Sequence, residues 1–334
     1  MKVDELRTVL AKYDAVALSE IVVALYKTIP KIRKENDGLD ELITNFTRVK
    51  SKIVKKDKTV DFEELKGDVE QFIGYANEQY YFAPNRYVSK GKRSKWRFEA
   101  KRLIKELISV TGENSEIAAQ LLVGMYGMLS YGCHYYIFST YNPFSAVGYE
   151  QPKLLQHVLE KIFCNGVDKA GVRTAVYLTL DSNNDRETLH YQLLHTLAAS
   201  LKTSDTIELA LEQCVAFIKE YDSYQAGKTL FRYDATDKYR RDRHINLAVE
   251  LYVILKFNLY EYDEGIKYFW ENYIERNSEI TLYCLLAHFL SGDDLKDLWI
   301  REYEKAIQRG IKPREILQDE YAKRKAGTDQ GTVP

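Results

Sequence analysis

Apolar positions recur at three- and four-residue steps over most of this chain, the spacing that lines one face of an α-helix. Phe62, Leu65, Val69, Phe72, Ala76 and Tyr80 form one such stripe. Asp61 opens it with Glu64 at capping-box spacing, and Pro84 closes it. A second helix is predicted from Ser94, with Trp96, Ala100, Leu103, Ile104, Leu107 and Ile108 on one face and Gly112 as its stop. Residues 117–129 are apolar on nearly every side and are expected at the centre of the N-terminal half, where Gly124 and Gly127 let a neighbour come close. The same periodicity predicts helices over 185–201, 205–221, 239–259, 263–276, 279–290 and 294–309.

Two stretches depart from this pattern. VRTAVYLTL, residues 172–180, has the β-branched content of a strand, but a lone strand among helices has nothing to pair with, so it is assigned as helix. Residues 131–152 gather seven aromatic rings with Gly132, Gly148, Pro143 and Pro152, and read as an aromatic-rich connection between two halves. The expected organisation is all-α with no significant sheet: an N-terminal helical bundle over 1–130, the connection over 131–152, a C-terminal helical-hairpin stack over 153–325 and a disordered tail over 326–334.

Within the C-terminal part, two helix pairs follow each other at an offset of 34, which sets Leu251 against Leu285, Phe269 against Tyr303 and Tyr273 against Ile307. That length is similar to a tetratricopeptide unit, and YEKAIQRGIKP, from Tyr303 to Pro313, looks like the end of such a helical-hairpin repeat. Gly265 has no counterpart at Asp297 or Leu298, so the expectation is an α-solenoid-like stack of antiparallel hairpins without family assignment.

Composition agrees with helix, since 334 residues hold only 6 Pro and 17 Gly. The early residues carry acidic side chains where a secretory signal has none, and the longest apolar run falls well short of the roughly 20 residues that cross a bilayer. Four widely spaced cysteines without a CxxC pair read as free thiols of a reducing cytoplasm, the expected location. Among the aromatic residues, 26 are Tyr against 13 Phe and 3 Trp, a bias toward rings with a polar tip.

The formal net charge of −1 conceals an asymmetry. Residues 1–110 hold 23 basic and 17 acidic residues, a net of +6, and the remainder carries the opposite excess. Nine cations against Glu99 alone are concentrated between Arg86 and Lys105. Among them Arg93, Lys95, Arg97, Lys101, Arg102 and Lys105 form a candidate anion or nucleic-acid site, because a helical row of cations can neutralise successive phosphates and release their counterions. A solvated face, or a face turned toward the acidic C-terminal half, is the competing reading. Arg48 to Lys58 and Lys238 to Arg243 are weaker basic clusters.

Other chemistry is sparse. His190 and His195 are five residues apart and do not share a helical face, and no zinc-ligand spacing occurs, so no metal or cofactor is expected. Asp181, Asn183 and Asp185 match the start of a calcium loop, but Arg186 stands where Gly is required, and Asp185 is expected to cap a helix instead. GxSxG, GxxxxGK and GxGxxG are all missing. A pocket, if the junction forms one, would use His134, Tyr135, Tyr136, Tyr141 and Tyr149.

The leading functional expectation is a non-enzymatic binding or scaffold protein offering a grooved helical surface to a protein partner. Nucleic-acid binding through helix 94–111 is the alternative, and an enzyme with a pocket near His134 is a second one.

Overall fold

The computed structural model describes residues 3–29, 39–44, 61–223 and 235–329, and among these there is no strand. The chain is all-α, in agreement with its apolar periodicity. Contacts divide it into two compact units, Met1–Asp61 and Phe62–Pro334.

In the first unit the described helices are α1 (Val3–Leu10), α2 (Ala15–Thr28) and α3 (Leu39–Thr44). The Asp14 carboxylate accepts the Ala17 N–H at 2.8 Å and fixes the start of α2. None of the residues of α2 is buried, although its sequence is largely apolar.

The second unit begins with α4 (Phe62–Asn77), a single turn α5 (Lys90–Arg93), α6 (Trp96–Ser109), α7 (Ser115–Gly132) and the short α8 (Pro143–Val147). Helix α7 packs against α4, α6 and α8, which places the most uniformly apolar helix at the centre of this part. A Cβ on Gly124 would lie 3.1 Å from Ile73 Cδ1, so its lack of a side chain lets α4 approach, whereas Gly127 faces open space.

Helices α9 (Gln151–Ile162), α10 (Lys169–Leu180), α11 (His190–Ser200), α12 (Ser204–Ser223) and α13 (Ala235–Asn258) follow. Here each helix packs on its next-but-one neighbour as well as on adjacent ones: α9 on α7 and α11, α11 on α13, and α10 on α12. The unit closes with α14 (Tyr262–Asn272), α15 (Ser278–Cys284), a π turn over Leu285–Phe289, α16 (Lys296–Gln308) and α17 (Glu315–Asp329).

Helix α13 is apolar on two sides because it serves two cores. Leu247, Ala248, Leu251 and Leu255 join the large core that runs back to Leu65, while Ile245, Val249 and Val253 join a second core with Phe269, Leu282 and Trp299.

The assignment of residues 172–180 as helix holds, within α10, whose start is held by Asp168 accepting the Gly171 N–H at 2.7 Å. Several other expectations change in detail. Asp185 does not cap a helix. Its N–H donates to Gln151 Oε1 at 2.9 Å and its carboxylate accepts the Glu187 N–H, so 181–189 folds as a loop onto α9, and α11 starts only at His190. Residues 131–152, expected to join two halves, lie inside the second unit, and the large core passes through them at Ile137, Phe138, Phe144 and Val147. Residues 326–329 of the expected tail are helical, and the rest of that tail lies outside the described residues, as does the basic run from Arg48 to Lys58. At the offset of 34, Leu251 and Leu285 are both buried, as are Phe269 and Tyr303, whereas Tyr273 is half-buried and Ile307 exposed.

Candidate nucleic-acid interface

The orientation of α6 is set by its apolar stripe. Trp96, Ala100, Leu103, Ile104 and Leu107 are all buried. Trp96 stacks on Phe138 with ring centroids 3.8 Å apart, so an aromatic residue after α7 fixes the rotation of α6 about its axis. Arg97, Lys101 and Lys105, at four-residue steps, must then face outward, about 6 Å apart along the helix. All three are exposed, as is Lys95 at the N-cap.

The six predicted cations are not equivalent. Arg102 is held by Asp68 at 2.7 Å and Glu106 at 2.8 Å, and its charge is balanced locally. Arg93 donates to the Val88 carbonyl at 2.7 Å and braces the loop before α6. Lys95, Arg97, Lys101 and Lys105 have no carboxylate partner among the described residues. The ammonium of Lys101 lies against Gly148, where a Cβ would come within 2.7 Å of Nζ. Gly148 adopts φ +77° as the left-handed cap of α8, and its bare Cα makes that room.

Exposed aromatic rings lie on α6 and in the segment before α5. Phe98, 61% exposed, lies beneath the Arg97 guanidinium at 4.9 Å. Before α5, the Arg86 guanidinium sits 5.0 Å over the Tyr87 ring, which is itself stacked on Tyr80 at 4.7 Å. The surface therefore combines unpaired cations with accessible rings, the two groups that hold phosphates and unstacked bases.

The aromatic junction does not converge on one pocket. The hydroxyls of Tyr136 and Tyr141 meet at 2.5 Å, Tyr135 stacks on Tyr131 at 4.2 Å, and all four rings are exposed. Tyr149 turns away to line a separate cavity of about 470 Å³ with Gly148, Glu150, Asp185 and Glu187. His134 is exposed and does not line this cavity. Burial, followed by the Arg243 guanidinium, holds its pKa below the ordinary histidine value. The large apolar side chains that the junction buries are Ile137, Phe138, Phe144 and Val147. The sequence offered these polar-tipped rings as a candidate pocket, but Phe138 and Phe144 fill the core there, while Tyr131, Tyr135, Tyr136 and Tyr141 stay at the surface, where their hydroxyls stay hydrated.

Two groupings lay beyond the reach of sequence spacing. Asp181, Tyr221 and His244 come from the end of α10, α12 and α13, in that order. The Tyr221 hydroxyl donates to Asp181, His244 Nε2 lies 3.3 Å from the same carboxylate, and its Nδ1–H donates to the Arg240 carbonyl at 2.6 Å. His190 Nδ1 accepts from Arg243 at 3.0 Å, and burial together with that guanidinium pushes its pKa down to about 3. The second grouping is a cavity of about 790 Å³ beside α13, for which the Lys238 to Arg243 cluster was the available signal. No group of metal-binding side chains occurs among the described residues.

No family model, curated protein or solved structure matches this chain.

Proposed function

We propose that the protein binds nucleic acid through the exposed face of α6. The observation that carries this reading is the row Arg97, Lys101 and Lys105 at helical spacing with Lys95 at the N-cap, all four open to solvent and without carboxylate partners among the described residues. Unpaired cations at fixed spacing keep their full charge for phosphates, whereas Arg102 has already spent its charge on Asp68 and Glu106. Phe98 and Tyr87 add stacking surfaces on the same part of the chain, which favours single-stranded over fully paired substrates. The test is a fluorescence-anisotropy titration of a labelled oligonucleotide with wild type and with Lys101→Glu/Lys105→Glu. Both positions are exposed, so the variant keeps its fold by circular dichroism while losing more than about tenfold in affinity. Equal affinity in the two proteins would sink the reading.

A scaffold role toward a protein partner is favoured by a different observation: α2 exposes Val16, Val22, Val23 and Leu25. Changing Val22 and Leu25 to Ser is expected to abolish specific capture of a partner by the immobilised protein, and unchanged capture would remove this second reading.

A further inference from the structure

The cavity beside α13 differs in character from the α6 face. Its volume, about 790 Å³, is that of a small-molecule site. Two elements build it. One wall is the N-terminal half of α13, which presents Arg243, Asn246, Leu247 and Glu250 at three- and four-residue steps. The other is the segment after α14, with Tyr273, Ile274 and Arg276. Asn246 clamps the two together, since its Nδ2 donates to the Ile274 carbonyl at 3.0 Å and its Oδ1 accepts the Ile274 N–H at 2.7 Å. This pair of hydrogen bonds pins the irregular segment at Ile274 to the helix.

The charges around the cavity do not cancel. Lys238, Arg241, Arg243 and Arg276 line it, against the carboxylates of Asp242 and Glu275 and the carboxyl of Glu250 at its floor. Arg241 is engaged by Asp242 at 3.1 Å and Arg243 by His190, but Lys238 and Arg276 are exposed and have no carboxylate partner among the described residues. Burial pushes the Glu250 carboxyl up to about 7, so near neutrality it is divided between the neutral and the charged form and adds less than a full third negative charge. The Tyr273 hydroxyl, beside Glu250, donates its proton to Cys284 Sγ at 3.8 Å and keeps oxygen lone pairs to accept from a ligand.

The geometry points to a binding site for a small organic phosphate in this cavity, its phosphate held by Lys238 and Arg276 at the rim and its polar body by Tyr273 and Glu250 at the floor. The cavity is far larger than inorganic phosphate needs, which favours an ester with an attached body. The rim supplies the mobile ammonium and the planar guanidinium that such a group pairs with. The site shares no residue with the α6 face.

The test is isothermal titration calorimetry of the full chain with ribose 5-phosphate and adenosine 5′-monophosphate, each beside its dephosphorylated counterpart. At least one ester is expected to bind saturably while ribose and adenosine do not. Lys238→Ala/Arg276→Ala, both at exposed positions, is expected to weaken that binding by about tenfold or more. Failure of both esters to bind, equal binding of the dephosphorylated compounds, or an unweakened double variant would each overturn the proposal. The oligonucleotide titration with Lys101 and Lys105 replaced reads the other face and is unaffected by any of these results.

Discussion

Replacing Lys101 and Lys105 by Ala should change how oligonucleotide affinity depends on salt, and the size of that change follows from the structure. Four cations on or beside α6, Lys95, Arg97, Lys101 and Lys105, are exposed and lack carboxylate partners among the described residues. If each meets one phosphate of a single strand, log K falls against log salt with a slope of about −0.7 per phosphate, or about −2.8 for the set. From 50 to 200 mM salt the wild type should then lose affinity by about 50-fold. Removing two of the four cations leaves a slope of about −1.4 and a loss of only about sevenfold over the same range. The slope is the informative quantity because it counts displaced counterions, whereas a fall in affinity at one salt concentration also follows from any local disturbance. Fluorescence anisotropy at five salt concentrations measures it. A double variant with the wild-type slope would refute the reasoning, since the two lysines would then displace no counterions. Arg102→Ala supplies the internal control: its guanidinium is paired with Asp68 and Glu106, so its removal should leave the slope nearly unchanged.

Two further outcomes test the framework that orients these groups. Trp96→Ala removes the ring stacked on Phe138 and should cost about 3–5 kcal/mol in urea denaturation, the range for deleting a large buried aromatic side chain; a loss below about 1 kcal/mol would mean that the stack does not hold α6 in place. Glu250 has a folded-state pKa raised to about 7, so the fold binds its proton more tightly than the unfolded chain does. Its contribution to stability is therefore complete below the ordinary carboxyl range and is lost as pH rises through about 7, so wild type should lose stability relative to Glu250→Gln between about pH 5 and pH 7 and not above. A constant difference between the two proteins over that range, in denaturation measured at each pH, would show that the carboxyl is not buried as described.

How much of this was legible in the chain depends on whether a feature is local. The stripe Trp96, Ala100, Leu103, Ile104, Leu107 defines both the buried face of α6 and, by exclusion, the cationic one, because helical periodicity alone assigns the two sides. What periodicity cannot show is which cations are already paired. Arg102 and Lys101 are neighbours in sequence, yet Asp68 on α4, 34 positions away, balances one and nothing described balances the other. The loop 181–189 failed for the same reason. Asp185 has the side chain of an N-cap, but Gln151 on α9 takes its backbone N–H and the helix starts five residues later. At the aromatic junction the chain showed a concentration of rings and could not sort them, since burial of Phe138 and exposure of Tyr135, Tyr136 and Tyr141 depend on which side of the connection faces α6 and α7.

By itself, then, the sequence determined the class of secondary structure, the extent of most helices and the position of the basic face, because each follows from the i, i+3, i+4 geometry within one segment. Tertiary structure alone decided that α13 divides two cores, that Phe138 locks α6 by stacking on Trp96, and that Asn246 pins Ile274 to open a cavity lined by Lys238, Glu250 and Arg276. These join residues tens of positions apart through packing and hydrogen bonds, and no short-range pattern encodes which distant partner completes a side chain's contacts.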